Sequence, residues 1–437
     1  MKRTTTRGLG AFAVVALAVS GLAACGDDNS GSDTAFKPIY FVDGNLGNAL
    51  GEKVPNINLD GQKGTLPGAK SPEDFQAKLK EIDPNLKDFS YGPETYDAVI
   101  VAALGAIAAD SDAGSDIAGE LKTITSEGEA CTTFADCVAL LKDGKDIDYN
   151  GVSGPIAFDG AGDPTEATIG VYSYGADNQL TDNTTFTAGK VDPSDGSPIA
   201  TKKNAGANGT LTIGTLLPLT GSLAFLGPPE VAGAKAAIAD INAADGALGK
   251  DVVLVETDSG DTTTQTASTS VDTLLSRNAD VIIGAASSSV SLSVIDKITG
   301  AGVVQISPAN TSPAFTDYAD KGLYFRTAPS DVLQGRVLGN TVLGDDHQKI
   351  AFLQLQDSYG DGLGDSTEAS IKAGGGEVVA RVIYDPKATS FSAEVSQIKQ
   401  ANPDAIILIG FDETAKVLEE LAKQGLVATK STAGSTP

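Results

Sequence analysis

Three consecutive serines stand between a predicted strand and a predicted helix. The apolar run DVIIGA precedes Ser287, Ser288 and Ser289, and apolar residues at helical spacing follow them. The first N–H groups of a helix have no intrahelical acceptor, and the helix dipole favours negative charge there. The serines are therefore predicted to bind an anion such as a carboxylate. They can cap the helix at the same time, since capping uses a side-chain oxygen.

Motifs of the common enzyme classes are missing from the sequence. It contains no G-x-S-x-G elbow, no G-x-x-x-x-G-K-[ST] loop and no G-x-G-x-x-G in the right context. The single histidine, His347, excludes an HExxH zinc site. The segment DSDAGSD at 110–116 lacks the sixth-position glycine and distal glutamate of an EF-hand, so a polar loop is favoured. We expect no catalytic residue, no cofactor and no metal site.

The charge balance bears on the choice of partners. The 437 residues include 57 acidic and 31 basic ones, a formal net charge of −26. Phosphate backbones repel such a polyanion, which argues against nucleic acid as a partner. Scattered carboxylates are more typical of a solvated face than of a cation-binding surface.

The first 24 residues have the layout of a secretory signal peptide. Three basic residues precede an apolar stretch from Leu9 to Val19 that is too short to span a bilayer. The run from Leu22 to Cys25 resembles the lipobox of bacterial lipoproteins, so Cys25 is expected to carry lipid; the alternative is a buried cysteine. The polar segment 25–35 is predicted to be a tether. We therefore expect an extracytoplasmic protein anchored to the outer face of the cytoplasmic membrane.

Two further cysteines, Cys131 and Cys137, stand six residues apart in EACTTFADCVALL. In an oxidising compartment the pair predicts a disulfide. Reduced thiols or half of a metal site are the alternatives, but no second cysteine pair completes a zinc set.

Strand-like and helix-like segments alternate regularly from residue 210 onward. The series TLTIGTLL, EVAGAKAAIADINAA, VVLVETD and their successors predicts a parallel sheet covered by helices, and a second series begins after FRTAPSD. The earlier part is less regular, with strands predicted at PIYFVDG, PIAFDG and TIGVYSYG. Residues 186–209 lack apolar periodicity and are predicted to be a flexible linker. The fold class is therefore α/β with two doubly wound lobes and a cleft.

Several segments resemble the leucine/isoleucine/valine-binding protein family, which has the type I periplasmic binding fold. The sequences TLTIGTLLPLTGSLAFLG, DVIIGAASSSVS, VVQISPANTSPAFTD, YFRTAPSD and IGFDETAKVLEELAKQGL occur in the order of the family's N-terminal part. The preceding segments, from PIYFVDGNLGNAL to TIGVYSY, resemble its C-terminal part. The reversed order predicts a circular permutation, with a shuffled gene or an engineered chain as the alternative. It places Phe36 near Leu426 at the surface of one lobe.

The resemblance also implies where the chain crosses between lobes. Three crossings, near 326–331, 61–68 and 149–154, would form a hinge suited to closure around a ligand. One lobe is predicted to contain residues 36–66, 152–185 and 330–427, the other 71–148 and 210–327, with a polar tail at 428–437.

The family's ligand-binding positions carry over residue by residue. Ser288 matches the serine that holds the ligand α-carboxylate, and Ala309 and Thr311 match the contact at the next strand end. Asp43 matches the acidic position, where a carboxylate would bind the ammonium group of a zwitterion. The expected walls of the site depart from the family pattern in part: Tyr359 matches a tyrosine, whereas Phe411 and Leu226 stand where the family often has a tyrosine.

The resemblance implies a substrate-binding protein, normally a monomer, that captures an amino acid and delivers it to the permease of an ABC-type importer. A sensory receptor of the same fold, or a binder of another small carboxylate or amide, is the alternative.

Overall fold

The structure is a computed structural model that describes residues 36–197, 199 and 207–430. The predicted signal peptide, Cys25, the tether at 25–35, part of the predicted linker and residues 431–437 of the predicted tail lie outside the described residues.

Strands and helices follow one another along the chain. The strands are β1 (Ile39–Phe41), β2 (Lys63–Pro67), β3 (Glu129–Cys131), β4 (Ile147–Gly151), β5 (Gly154–Pro155), β6 (Glu166–Ser173), β7 (Thr185–Lys190), β8 (Thr212–Leu217), β9 (Val253–Asp258), β10 (Val281–Gly284), β11 (Val304–Ser307), β12 (Tyr324–Arg326), β13 (Lys349–Leu355), β14 (Glu377–Tyr384) and β15 (Ala405–Ile409). The helices are α1 (Asn48–Lys53), α2 (Glu73–Ile82), α3 (Gly92–Ala109), α4 (Gly114–Leu121), α5 (Phe134–Lys142), α6 (Gly227–Ala243), α7 (Thr266–Ser276), α8 (Ser288–Gly300), α9 (Asp331–Gly344), α10 (Ser358–Ala373), α11 (Ser392–Ala401) and α12 (Thr414–Lys423).

Two large sheets define two lobes. Lobe A carries a seven-stranded sheet in the order β14-β13-β15-β1-β2-β6-β7. Its strands pair in parallel from β14 to β2, and β6 and β7 are added antiparallel. Lobe B carries a parallel five-stranded sheet in the order β12-β11-β10-β8-β9. The predicted α/β class is confirmed.

The small sheet β3-β4-β5 belongs with lobe B and contains the cysteine pair. Cys131 ends β3 and Cys137 lies on α5, and the two form a disulfide with their Cα atoms 5.4 Å apart. Both residues are buried in the hydrophobic core that also contains the strands of lobe B.

Continuous apolar runs explain the central strands. Every residue of β15 (AIILI) and of β10 (VIIG) is buried, as expected for parallel strands with helices on both faces. Helix α12 shows the complementary pattern, because Val417, Leu418 and Leu421 share one face and are buried against lobe A.

Helix α3 is almost entirely buried, and it is apolar on all sides from Ala98 onward. It packs on α6 at very close range: a Cβ added to Gly233 would lie 2.2 Å from the carbonyl oxygen of Gly92. Among the described residues, no single helix is long and apolar enough to cross a membrane. The bent pair of α3 and α4 meets that test by length and composition alone.

The two ends of the described chain meet on lobe A. The N–H of Lys37, next to Phe36, donates to the carbonyl of Leu426 at 2.8 Å. Strand β1 then pairs in parallel with β15, with Ile39 opposite Ile406. This geometry matches the predicted proximity of Phe36 and Leu426.

The predicted flexible linker and the predicted polar tail are both ordered in part. Residues 186–190 of the predicted linker lie in β7, where Phe186 packs edge-on against Tyr172 of β6 at 6.1 Å. The linker prediction is wrong for these residues, because pairing of this short, largely polar strand with β6 is enough to order them. Residues 428–430 of the predicted tail hydrogen-bond to the segment 56–58.

The crossing between lobes that was predicted at 149–154 lies further along the chain. The prediction of a strand at PIAFDG is wrong, since β5 ends at Pro155 and Ala157 has a left-handed φ of 43°. Phe158 packs against Phe325 of lobe B with ring centroids 5.3 Å apart. Residues 152–163, predicted to begin the return to lobe A, therefore still pack with lobe B.

A buried ion pair closes this part of lobe B. The guanidinium of Arg326, at the end of β12, donates to both carboxylate oxygens of Asp163 at 2.6 and 2.7 Å. It also donates to the carbonyls of Asn310 and Ser312, at 3.3 and 2.7 Å. Arg326 has no exposed surface. Bidentate geometry with further carbonyl partners is the arrangement that offsets the desolvation of a buried charge.

We expect Asp163→Asn to lower the free energy of unfolding by about 3–5 kcal/mol, because it leaves the buried guanidinium without its counter-charge. Urea denaturation monitored by circular dichroism measures the change. The matched control is Asp365→Asn, which breaks the more exposed pair with Arg381 and should cost less than about 1 kcal/mol. Equal losses in the two variants would contradict a central role for the Arg326 pair.

Candidate functional site

A small cavity of about 20 Å³ lies between the two lobes. Its walls come from the ends of β1, β10, β11, β13 and β15 and from the loops beside them. The lining residues are Asp43, Gly44, Tyr91, Leu223, Leu226, Ala286, Ser287, Ser288, Ala309, Tyr359 and Phe411. In parallel α/β sheets, ligands bind at the carboxyl ends of the strands, where this cavity is found.

Asp43 is the charged group of the cavity. Its carboxylate accepts hydrogen bonds from the hydroxyls of Tyr91 and Tyr359, each at 2.7 Å, and from the amide of Gln334 at 2.8 Å. Burial raises the pKa of Asp43, and these hydrogen bonds act in the opposite direction. The site thus combines a buried carboxylate with aromatic donors from both lobes.

The aromatic wall belongs to lobe A. The rings of Tyr359 and Phe411 stack with centroids 5.6 Å apart and an interplanar angle of 13°. The hydroxyl of Tyr359 also accepts a hydrogen bond from the N–H of Gly44 at 3.2 Å. On the facing side, Leu223 and Leu226 add apolar surface.

The N-terminus of α8 lies on the side of the cavity opposite Asp43. Ser287 caps this helix, its Oγ accepting from the N–H of Val290 at 3.4 Å. The N–H groups of Ser288 and Ser289 have no intrahelical acceptor at this position. Both predicted functions of the serines, capping and anion binding, are compatible with this geometry.

The cleft is closed around the cavity. Tyr91 of lobe B reaches Asp43 of lobe A, and Ser289 Oγ of lobe B accepts from the N–H of Ser358 of lobe A at 3.1 Å. Two larger cavities flank it, of about 320 and 380 Å³. The larger contains Lys70, Lys87 and Phe89 and shares Tyr91 with the central cavity.

The structure brings together six of the seven residues expected to bind ligand: Asp43, Leu226, Ser288, Ala309, Tyr359 and Phe411 line the cavity. Thr311 is fully buried behind the wall, and its backbone carbonyl accepts from the N–H of Asp331 at 2.7 Å. Among the described residues, no group of three or more His, Cys, Asp or Glu side chains is arranged to hold a metal ion.

Sequence reasoning missed Tyr91 and Gln334. Tyr91 has a left-handed φ of 61° just before α3, and its hydroxyl crosses the cleft to Asp43. The sequence signal was the dipeptide Gly92-Pro93, which marks a helix start without showing which way Tyr91 points. Gln334 lies inside α9, where a polar residue is usually assigned to the solvent face.

A buried carboxyl stands behind Tyr91. Glu94, in the first turn of α3, is 3% exposed, and burial raises its pKa to about 8. Its carbonyl accepts from the hydroxyl of Thr327 at 2.8 Å, and a Cβ added to Gly68 would lie 2.4 Å from its Oε1. Glu94 thus contacts two of the chain segments that were predicted to cross between the lobes, 61–68 and 326–331.

Comparison with known proteins gives the family. A family model described as periplasmic binding protein matches residues 210–436, just over half of the chain. The chain therefore belongs to the periplasmic binding protein family.

Individual relatives agree with this assignment. Leu/Ile/Val-binding protein homolog 3 of Brucella melitensis is 31% identical over 207 residues, 46% of this chain and 54% of the relative. Leu/Ile/Val-binding protein BraC3 of Rhizobium johnstonii is 30% identical over 228 residues, 51% of this chain and 61% of the relative. The chain thus spans between half and two thirds of the length of the curated relatives it matches.

Solved structures are similar over the same share of the chain. The branched-chain amino acid transporter substrate binding protein LivJ from Streptococcus pneumoniae, in complex with isoleucine, is 28% identical with a TM-score of 0.44. The likeness covers 50% of this chain and 62% of that one.

The stability of the protein should depend on the protonation of Glu94. The pKa of a glutamate in an unfolded chain is about 4.3, below the value of about 8 in the folded state, so the folded protein binds the proton more tightly. Stability is therefore gained as the pH falls from 8 towards 4.3. We expect Glu94→Gln, which mimics the protonated form, to reduce this gain by up to about 4 kcal/mol.

Urea denaturation at a series of pH values between 5 and 8 measures the difference between the variant and the wild type. Glu73→Gln is the matched control, since Glu73 lies in the first turn of α2 and is exposed. Parallel pH profiles for wild type and Glu94→Gln would contradict the prediction.

Proposed function

We propose that the protein is an extracytoplasmic solute-binding lipoprotein. It captures an amino acid, branched-chain or related, between lobes A and B and delivers it to an ABC-type importer. The observation that carries the proposal is the arrangement of the cavity, which has a buried carboxylate on lobe A and a free helix N-terminus on lobe B. These two poles suit the ammonium and carboxylate groups of one zwitterion.

The walls of the cavity support a partly apolar ligand. In the closed cleft the cavity measures only about 20 Å³, against about 300–1,000 Å³ for typical small-molecule sites, so the lobes must separate to admit an amino acid. Leu223, Leu226 and Phe411 present apolar surface to an aliphatic side chain, which agrees with the Leu/Ile/Val-binding names of the relatives.

We also propose that the chain is a circular permutation of the family order. The family match begins at residue 210, although β1 and β2 complete the sheet of lobe A beside β15. The hydrogen bond between Lys37 and Leu426 marks the place where the family chain would continue without interruption. Termini that lie close together allow such reordering without loss of contacts.

Substitution of Asp43 tests the proposed ligand site. We expect one amino acid, with leucine, isoleucine and valine the first candidates, to raise the melting temperature of residues 26–437. Asp43→Asn should weaken its binding by roughly 10- to 100-fold, because a charge-assisted hydrogen bond is worth about 1.5–3 kcal/mol. Thermal shift over all amino acids, followed by calorimetry, measures both effects.

The matched control is Asp385→Asn. Asp385 follows β14 as Asp43 follows β1, but it is exposed and does not line the cavity. Stabilisation by a non-amino-acid carboxylate or amide alone would assign the other ligand class. Silence across all amino acids would contradict the proposal, whereas binding without transport in a permease-containing strain would favour a sensory receptor.

Lipid attachment at Cys25 is tested separately. We expect full-length protein expressed in a bacterial host to incorporate labelled palmitate and to sediment with membranes. Cys25→Ala should abolish both, while the disulfide variant Cys131→Ser with Cys137→Ser should retain the label. Labelling of Cys25→Ala would contradict this assignment.

A further inference from the structure

The larger of the two cavities beside the central one has walls from both lobes. Its volume of about 380 Å³ lies within the range of about 300–1,000 Å³ that is typical of small-molecule sites. Most of its lining residues come from three stretches of chain, 66–71, 87–94 and 172–186. We call it the second cavity. It is a separate space from the central cavity, although Tyr91 lines both.

Two aromatic rings form the wall of the second cavity on lobe A. Tyr172 of β6 and Phe186 of β7 both pack over Gly170, where an added Cβ would lie 2.6 Å from the first ring and 3.1 Å from the second. Leu66, opposite Gly170 on β2, adds apolar surface. Both rings are only partly buried. Such rings can bind an apolar group, and they attract a cation through their quadrupole.

The wall on lobe B contains a buried carboxyl group that has no donor. Glu94 lines the second cavity although only 3% of it is exposed. Among the described residues, no other residue donates a hydrogen bond to its carboxyl group and no cation pairs with it. Its Oε1 lies against Gly68, within the stretch that joins the two walls. Because buried carboxyl groups are normally paired or hydrogen-bonded, Glu94 offers free acceptor positions to a bound molecule.

Two hydroxyl groups of the lining are also without partners. The hydroxyl of Tyr172 forms no hydrogen bond with any residue that the structure describes. Oγ of Ser71 is buried and likewise unpartnered. Together with Glu94, three polar groups of one cavity therefore lack partners, and a few convergent polar groups in an otherwise apolar pocket are typical of a binding site.

The remaining charged groups do not neutralise Glu94. The lining contains three carboxyl groups and two lysines, namely Asp88, Glu94, Asp182, Lys70 and Lys87. Lys87 is engaged by Glu52 at 2.5 Å, and Lys70 is exposed. With Glu94 ionised, the cavity has an excess of negative charge in a protein whose formal net charge is −26. Such a field attracts cations and repels anions.

We propose that the second cavity binds a small organic cation, an ammonium group attached to an apolar body. The ammonium group donates hydrogen bonds to the carboxylate of Glu94 and to the hydroxyl oxygen of Tyr172, while the apolar body packs against the rings of Tyr172 and Phe186. The cation supplies the counter-charge that the buried carboxyl group lacks. This site is separate from the central cavity, so the inference does not rest on the proposed function.

Calorimetry with 2-phenylethylammonium tests the proposal on the full-length protein. The titration is made at about pH 8.5, above the pKa of about 8 of Glu94 and below the value of ~10.4 for an alkylammonium such as that of lysine. We expect binding that is weakened about tenfold or more in Glu94→Gln, because a charge-assisted hydrogen bond is lost. Tyr172→Ala should also weaken it, since an aromatic wall is removed.

Two variants serve as controls. Glu230→Gln removes another buried, unpartnered carboxyl group, which does not line the second cavity, and should keep the affinity of the wild type. Asp43→Asn should keep it too, because Asp43 lines only the central cavity. Binding that is lost in Asp43→Asn and unchanged in Glu94→Gln would place the cation in the central cavity and overturn the inference.

Two further probes test the chemical class of the ligand. 2-Phenylethanol has the same body without the charge, and phenylacetate has a negative charge instead. Both should bind at least about tenfold more weakly than 2-phenylethylammonium, since neither pairs with the carboxylate of Glu94. Equal or tighter binding of either probe would overturn the assignment of a cation. Absence of detectable 2-phenylethylammonium binding to the wild type would overturn the inference as a whole and leave the proposed function intact.

Discussion

The guanidinium of Arg326 is the group on which the geometry of the cleft depends. It joins the end of β12 to Asp163, on the last segment of chain before lobe A resumes, and to the loop that contains Asn310 and Ser312. That loop follows Ala309, so the same charge that closes lobe B also fixes one wall of the cavity. A buried cation of this kind tolerates little displacement, because every lost partner leaves part of the charge desolvated.

Periodicity in the sequence was sufficient to predict the α/β class. Short apolar runs rich in β-branched residues, such as AIILI, are typical of the interior of a parallel sheet. The serines before α8 could be placed because they stand between a strand and a helix, where free N–H groups attract an anion, whereas the carboxylate after β1 was placed by the resemblance to the family. Short elements such as β7 escaped prediction, since six largely polar residues gain their stability from pairing with β6.

The part of the site that could not be predicted depends on the direction in which individual side chains point. Asp331 follows Ser330, and Ser-Asp at a helix start has the pattern of an exposed cap, yet the carboxyl group is completely buried. The role of Tyr91 could not be predicted either, because its contact with Asp43 spans 48 residues of sequence and arises only when the lobes meet. Such contacts are set by tertiary packing, which local sequence patterns do not encode.

The position of β1 beside β15 has a consequence for the order of synthesis. The sheet of lobe A draws its central strands from opposite ends of the chain, so a growing polypeptide cannot complete it until residue 409 has been made. Lobe B also cannot form early, since its helix α3 precedes β8, the first strand of its five-stranded sheet, by about a hundred residues. Contacts of such high sequence separation favour folding after the whole chain is available.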